Sequence, residues 1–155
     1  TLVLALLFVG CDSDKISETE TTPTTEISYT IETESPYIVI NDLPTATLSV
    51  TEISSDNKTI TVVFSYSGEN KLCYGEQYKI EVQKDNKWYS LKESETFISD
   101  VGYIVESGQT CTASYHLSRF GTLTSGHYRI VVMVTDQIED GNNTHHNLSV
   151  EFDIE

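Results

Sequence analysis

The fold is indicated most clearly by one stretch of the chain, Gly126-His-Tyr-Arg-Ile-Val-Val-Met-Val134. Between His127 and Val134 the residues at alternate positions are large and apolar, namely Tyr128, Ile130, Val132 and Val134. A period of two places such side chains on one face of a β-strand. The stretch therefore predicts a strand with one face buried in a core.

Six other segments are predicted to be strands, most of them with the same alternation, and turn signals separate them. They are Thr45–Ile53, Thr59–Tyr66, Tyr78–Gln83, Lys87–Leu91, Thr110–Leu117 and Leu148–Ile154. Asp85-Asn86 is a typical turn between two of them. Nothing between these segments resembles a helix of ordinary length. Seven to eight short antiparallel strands in about 110 residues predict an all-β fold, an immunoglobulin-like β-sandwich.

Tyr128 follows a glycine at the start of the long apolar strand, where such sandwiches have their tyrosine corner. Its hydroxyl is expected to donate to a backbone carbonyl upstream while its ring fills the core. Antibody domains have a cysteine two residues later, and this chain has Ile130 there. The domain is therefore not of the antibody type. The alternative is that Tyr128 is an ordinary core tyrosine in the same fold.

Four spaced motifs carry a resemblance to a known family. They are Tyr74-Gly-Glu-Gln-Tyr78, Lys87-Trp-Tyr89, Val101-Gly-Tyr103 and Gly126-His-Tyr-Arg-Ile130. Together they resemble the landmarks of a bacterial Ig-like domain family, which is common in lipoproteins and membrane-protein ectodomains of Gram-positive bacteria. The chain departs from the family at Leu123-Thr-Ser125, where prolines are frequent, and at Tyr115-His116, where a tryptophan is usual. The resemblance implies an extracytoplasmic sandwich without catalytic residues.

The first eleven residues, Thr1-Leu-Val-Leu-Ala-Leu-Leu-Phe-Val-Gly-Cys11, end an apolar run in a small residue and a cysteine. This ending resembles the lipobox of bacterial lipoprotein signals, although Phe8 stands where leucine is usual. The resemblance implies cleavage before Cys11 and diacylglycerol attachment to its sulfur. The run is shorter than the roughly 20 residues that span a bilayer. We expect residues 1–10 to be a signal peptide truncated at its start; the alternative is a buried strand.

From Asp12 to about Ser35 the sequence is rich in serine, threonine and glutamate, and Ser17–Glu26 is the centre of this bias. Such a segment buries too little apolar surface to offset the entropy of ordering it. We therefore predict a disordered, lipid-anchored tether over residues 11–43 and a folded domain over residues 44–155. Tyr37–Ile40 is a short apolar run that forms either an early strand or an exposed patch.

The formal net charge is −15 and the isoelectric point is near 4.4. A nucleic-acid partner is excluded by this balance, because phosphate binding requires an excess of lysine and arginine. Charge-driven adsorption to an anionic membrane is excluded for the same reason. The acidic surface serves solubility or, alternatively, attracts a cationic partner.

Three cysteines become an even pair if Cys11 carries lipid. Cys73 lies just beyond the predicted second strand, and Cys111 lies near the start of the fifth. These strands are antiparallel neighbours in an Ig-like sheet, so we predict a disulfide between Cys73 and Cys111. Two free thiols are the alternative.

The loop from Asp136 to Thr144 has the highest density of side chains that could bind a ligand. Its oxygen donors are Asp136, Glu139, Asp140 and Asn142. They could offer oxygens to calcium, but their spacing lacks the order of a calcium-binding loop and Asp-Gly-Asn is ordinary turn chemistry. We therefore predict a solvated hairpin loop, no metal site and no cofactor. If the domain binds, this loop and the loop Gly68–Glu76 should share one end of the sandwich. Four histidines without ligand spacing indicate surface positions rather than a zinc site.

No catalytic sequence motif is present, and we expect no enzyme. The sequence favours a non-catalytic surface module for adhesion, binding or spacing, held on the extracytoplasmic face of the bacterial membrane through the lipid on Cys11. An extracellular protein or a glycan is the expected partner. Alternatives are a protease-inhibitor-like sandwich or a carbohydrate-binding module that uses Trp88, Tyr89 and Tyr103 as a platform.

Overall fold

The computed structural model describes residues 28–94, 96, 99–138 and 141–155, which form nine strands in two antiparallel sheets. The strands are β1 Ile31–Glu34, β2 Ala46–Ile53, β3 Thr59–Tyr66, β4 Lys71–Lys84, β5 Lys87–Leu91, β6 Gly102–Val105, β7 Gln109–His116, β8 Gly126–Gln137 and β9 Thr144–Ile154. A 3₁₀ helix, Leu117–Phe120, follows β7. This part of the chain has no helix long and apolar enough to cross a membrane. The predicted all-β sandwich is confirmed.

The smaller sheet has the order β2-β3-β7, with β3 in the centre. Along β3 the inward side chains are completely or almost completely buried, as the alternation predicted; they are Ile60, Val62, Phe64 and Tyr66. Burying a large aliphatic or aromatic side chain stabilises a fold by about 1.5–3 kcal/mol. The pairing of β3 with β7 runs without a break from Thr59–His116 to Tyr66–Gln109.

The larger sheet has the order β1-β5-β4-β8-β9, and β6 pairs with the first part of β4. β4 pairs with β8 on both sides of an irregularity. Tyr74 lies opposite Val134 and Tyr78 lies opposite Val132, so β4 holds two residues more than β8 there. Such a bulge bends a strand and separates it locally from its neighbour. The core lies between the two sheets.

The sequence missed β1, β6 and the first half of β4. β1 and β6 have four residues each, and most of those residues are exposed, so no alternation marks them. In β4 the bulge interrupts the pattern, which is why residues 68–76 were predicted to be a loop although the strand begins at Lys71. The predicted turn at Asp85-Asn86 is present, with positive φ angles of 50° and 61° that are typical of a type I′ hairpin.

Tyr128 is fully buried, and its hydroxyl donates to the carbonyl oxygen of Thr124 at 2.7 Å. The acceptor is four residues upstream, as in a tyrosine corner. Gly126 makes room for this arrangement, because a Cβ atom there would lie 3.3 Å from the tyrosine ring. Burial raises the pKa of Tyr128 to about 12. This contact anchors the connection that leads into β8.

The segment Ser35–Asp42, named here the strap, crosses the outer face of the larger sheet. At one side the amide of Ser35 donates to the carbonyl of Trp88 on β5 at 2.8 Å. At the other side Asn41 bonds β9: its side chain accepts from the amide of Ser149 at 2.8 Å and donates to the carbonyl of Ser149 at 3.1 Å. Since β5 and β9 flank β4 and β8, the strap spans the sheet.

The ordered fold thus begins earlier than residue 44. The prediction of a disordered tether over residues 11–43 is wrong from β1 onward, because backbone pairing with β5 and β9 holds this part of the chain in place. Within Tyr37–Ile40 the outer residues are half-buried, whereas Ile38 and Val39 are 94% and 58% exposed. The predicted signal peptide, Cys11 and the first part of the predicted tether lie outside the described residues.

Candidate binding surfaces

The predicted disulfide between Cys73 and Cys111 is wrong, because both thiols are free and they face different ways. Cys73 lies on β4 between two buried residues, so it points to the outer face of the larger sheet. Cys111 lies on β7 in the smaller sheet and faces the interior, where its sulfur is 2.9 Å from the hydroxyl of Tyr74. Cys73 does not lie at the end of β3, where its position in the sequence predicts it, because the chain has already crossed to the other sheet there.

The two predicted binding loops do share one end of the sandwich. Lys71 pairs with Gln137, and residues from both loops line an open cavity of about 750 Å³. Asp136 ties this end together, since its carboxylate accepts from the Tyr66 hydroxyl at 2.8 Å and from the Asn70 amide at 3.4 Å. Burial and this carboxylate raise the pKa of Tyr66 to about 12. Asp136 therefore holds the loops together rather than facing solvent as a free ligand.

Only one other member of the acidic set lies among the described residues. Asn142 is exposed, while Glu139 and Asp140 lie outside the described residues. The histidines are dispersed on the surface: His127 contacts Asp153 and Glu151, and His146 contacts Asp42. Among the described residues, no three side chains of histidine, cysteine, aspartate or glutamate are grouped to hold a metal ion.

The three aromatic residues proposed as a glycan platform do not share a surface. Trp88 lies on the outer face of the larger sheet, with its ring 4.5 Å from the guanidinium carbon of Arg129. Tyr89 is partly buried against the core. Tyr103 pairs with Tyr74 near the other end of β4, on the order of 25 Å away. This platform is therefore not formed.

A tyrosine-lined cleft opens along one side of the sandwich, between β7 of the smaller sheet and the β4–β6 pair of the larger one. Its volume is about 410 Å³. The lining residues are Tyr74, Gly75, Glu76, Tyr78, Tyr103, Thr112, Ala113, Ser114, Tyr115, His116 and Arg119. The bulge in β4 lies beside this cleft, so the irregularity that obscured the strand in the sequence also shapes the cavity.

Aromatic contacts connect the cleft wall to the core. The rings of Tyr74 and Tyr103 stack with their centres 5.3 Å apart, and Tyr74 stacks in turn on buried Phe64 at 4.1 Å. Tyr78 joins the two sheets because its hydroxyl donates to the carbonyl of His116 at 2.6 Å. Tyr103 is 40% exposed, whereas Tyr74 and Tyr78 are buried. The cleft thus presents an aromatic surface held by core residues.

Charge at the cleft is unevenly distributed. Arg119 pairs with Glu93 at 2.8 Å and lies over the ring of Tyr78 at 5.0 Å. Glu76 accepts a hydrogen bond from Tyr103 at 2.9 Å, and its hydrogen bonds with Ser99 and Tyr103 lower the pKa of its carboxyl. Burial raises the pKa of Tyr74. At neutral pH the mouth of the cleft therefore holds an ionised carboxylate among neutral phenols.

A buried ion pair lies beneath the strap, on the face opposite the core. Glu81 is completely buried and Arg129 is 4% exposed. The Arg129 side chain donates to Oε2 of Glu81 at 2.7 Å and to the Ser35 hydroxyl at 3.2 Å, and Ser90 donates to Oε1 at 2.8 Å. Every buried side-chain nitrogen or oxygen in the described part has a hydrogen-bond partner. This pair fastens the strap to the sheet.

The cleft and the buried pair were not predicted as sites. Glu81 and Arg129 stand at outward positions of their strands, so the alternation assigned them to solvent. The Tyr74–Tyr78 motif was noted as a family landmark, but its role in a cavity depends on β7, which is distant in sequence. An excess of tyrosines around the bulge is the signal that would have indicated it.

Two packed antiparallel sheets and a tyrosine corner define the class of this protein as an Ig-like β-sandwich. The model of the bacterial Ig-like domain family matches residues 42–153, which is most of the chain, and the chain belongs to this family. Bacterial Ig-like domains are typically extracellular or surface-exposed, and they are generally non-enzymatic. No curated protein matches the chain.

Proposed function

We propose that this protein is a non-catalytic binding module, anchored by lipid on Cys11 to the extracytoplasmic face of a bacterial cell membrane. The cleft at β7 is its binding surface. Membership of the bacterial Ig-like domain family is the observation that carries the proposal, because this family is surface-exposed and generally non-enzymatic. The sequence that ends in Gly10-Cys11 supplies the anchor.

The point at which the N-terminal segment enters the domain is compatible with display of the binding surface away from the membrane. Ser28, the first described residue, bridges to Thr122, four residues before β8 begins. The loops tied by Asp136 lie at the other end of β8. A tether that arrives near the start of β8 would leave those loops and the cleft accessible to other molecules. Two or three acyl chains on the cysteine would give stable anchoring, whereas one chain binds a membrane only marginally.

Two observations favour binding over simple spacing. The cleft volume of about 410 Å³ lies within the usual range for ligand pockets. The cleft also keeps Tyr103 exposed and Glu76 ionised, although a spacer domain needs neither. We therefore infer that the partner is an extracellular molecule, and that a nucleic acid is not among the candidates at a net charge of −15.

The anchor is tested by expressing the chain behind a complete lipoprotein signal in a bacterium and comparing wild type with Cys11→Ala. We expect a lipid-sized increase in intact mass and membrane fractionation, both lost in Cys11→Ala. Cys73→Ala is the matched control and should remain lipidated, because Cys73 belongs to the folded sheet. An unmodified Cys11 in a soluble wild-type protein would contradict the proposed address.

A further inference from the structure

β7 is an open edge of the smaller sheet. Within the described residues it pairs with β3 alone. Five consecutive residues, Thr112–His116, line the cleft. Consecutive residues of a strand face opposite sides of the sheet, so a cavity touches all of them only along the edge of the strand. The cleft therefore runs beside the edge of β7 that has no strand neighbour among the described residues, and at the end of this edge the carbonyl of His116 accepts from the Tyr78 hydroxyl.

This edge lacks the features that normally prevent strand addition. Proteins protect free edges with charged side chains, proline, bulges or very short strands. β7 has eight residues, none of them lysine, arginine, aspartate, glutamate or proline, and its register with β3 is unbroken. The other outer strands are protected: β1 and β2 carry glutamates and register shifts, β9 carries Glu151 and Asp153, and β6 has four residues.

We propose that the cleft accepts an extended peptide segment of another protein, which adds to β7 as a further strand of the smaller sheet. This proposal rests on the proposed binding function. In strand addition, main-chain hydrogen bonds supply affinity and pockets for alternate side chains supply specificity. One set of side chains of the added strand enters the cleft beside Tyr103 and Tyr115, and the other set faces solvent beside Thr112.

The charge at the cleft defines the partner further. Glu76 is ionised, and its hydrogen-bond partners Tyr103 and Ser99 are neutral. The chain as a whole carries −15. An added segment with alternating apolar residues and a terminal lysine or arginine therefore matches the site in shape and charge, and the field of the protein would attract it.

A second copy of this chain matches the site less well. Its β7 has no lysine or arginine to pair with Glu76. The inward side chains of that strand, including Ala113 and Tyr115, already pack against their own core, so they would leave the cleft empty. Two chains of charge −15 also repel each other. An extended segment of a different protein is the occupant that we infer.

The experiment titrates the full chain with a labelled nine-residue peptide of alternating valine and threonine with a lysine at each end. Two further peptides carry N-methyl groups on all valines or on all threonines. In a strand, valine amides and threonine amides point to opposite edges, so only one methylated set blocks pairing with β7. We expect saturable binding of the parent peptide, retained by one methylated peptide and lost by the other.

Two variants of the same chemistry separate the two edges of the smaller sheet. Thr112→Lys places a charge on β7 and should weaken binding about tenfold. Thr47→Lys makes the same exchange at an exposed position of β2 and should leave binding unchanged. Amide hydrogen exchange of β7 should slow when the peptide is bound. Glu76→Gln should weaken the lysine-ended peptide and spare one with uncharged ends.

Three kinds of result would overturn the proposal that a peptide adds to β7. Absence of peptide binding, or equal binding of both methylated peptides, excludes strand addition. Binding of cellohexaose at the tyrosines without protection of β7 assigns the cleft to a glycan and leaves the proposed binding function standing. A dimer of the free chain that Thr112→Lys dissociates assigns the edge to a second copy. Failure of lipidation at Cys11 would refute the anchor without affecting these titrations.

Discussion

The outer face of the larger sheet and the lateral cleft at β7 differ in what they expose to solvent. Under the strap, the two charges of Glu81 and Arg129 are removed from water and satisfied by named partners. At the cleft, an uncharged strand edge and the ring of Tyr103 remain open to solvent. The covered face therefore serves stability, and the open edge is available for binding.

This contrast also explains why an open edge is tolerated. The larger sheet holds β8 between two long neighbours and seals one face with the strap, so most of the cooperative structure does not depend on β7 having a second neighbour. Sites that bind are commonly drawn from the less stable parts of a fold. The comparison predicts large effects of substitutions under the strap and small effects at the cleft.

The largest effect is expected from Arg129→Ala. It leaves the carboxylate of Glu81 buried without its cationic partner, which typically costs about 3–5 kcal/mol. It also releases the strap at Ser35. Urea unfolding should show this loss. The double variant Glu81→Leu with Arg129→Leu is the control and should lose much less, because no isolated charge remains. A loss under about 1 kcal/mol in Arg129→Ala would show that the pair does not fasten the strap.

A smaller loss is expected from Asn41→Ala. The substitution removes both side-chain hydrogen bonds to Ser149 and leaves alanine at a φ of 55°. Each hydrogen bond contributes about 1 kcal/mol and the left-handed φ costs alanine about 1 kcal/mol more, so the free energy of unfolding should fall by about 2–3 kcal/mol. Asn41→Gly tolerates the same φ and isolates the contribution of the hydrogen bonds. Unchanged hydrogen exchange at Ser149 in either variant would contradict the anchoring role of Asn41.

The fold was largely predictable because its core follows a local rule. Tyr128, Ile130 and their neighbours on β8 alternate, and so do the buried residues of β3 and β9. β1 and the strap were not predictable, since their order comes from backbone pairing with β5 and β9 rather than from burial of their own side chains. All four residues of Ile31–Glu34 are exposed, and nothing in the composition of this segment distinguishes it from a tether.

The candidate site was less predictable because it depends on contacts between distant segments. Cys73 and Cys111 were paired by assuming that the chain after β3 continues in the same sheet, but β4 belongs to the other sheet. Tyr103 was noted as an exposed aromatic, whereas its stacking on Tyr74 and its contact with Glu76 require the pairing of β6 with β4. The sequence of β7 shows that it lacks charged residues and proline. Only the topology, however, shows that β7 is an outer strand of its sheet.

The pH dependence of stability tests the outer face beyond the strap. Hydrogen bonds to Asp153 and Glu151 raise the pKa of His127 above its ordinary value of 6.5. A raised folded-state pKa means that the charged ring stabilises the fold fully below pH 6.5, and that this contribution disappears as the pH rises through the folded-state value. The ion pairs are partly exposed, so the contribution is at most about 1 kcal/mol.

His127→Gln should therefore be less stable than wild type at about pH 5.5 and nearly equal to it at about pH 9. Urea unfolding at both pH values measures the difference. His145→Gln is the control, because His145 contacts the hydroxyl of Thr135 instead of a carboxylate. A difference between His127→Gln and wild type that stays constant with pH would show that the ring acts only by packing against Trp88.

The smallest effect is expected where the comparison places the least stability, at the edge of β7. Thr112 is exposed and has its neighbour Val63 on one side only. Thr112→Lys should change the free energy of unfolding by no more than about 0.5 kcal/mol, as should Thr47→Lys on the opposite edge. If the two variants are equally stable, their peptide affinities can be compared directly. Any difference in affinity is then caused by the charge placed on β7. A large loss in Thr112→Lys alone would mean that the edge of β7 is part of the stable core, and the division between a sealed face and an open one would fail.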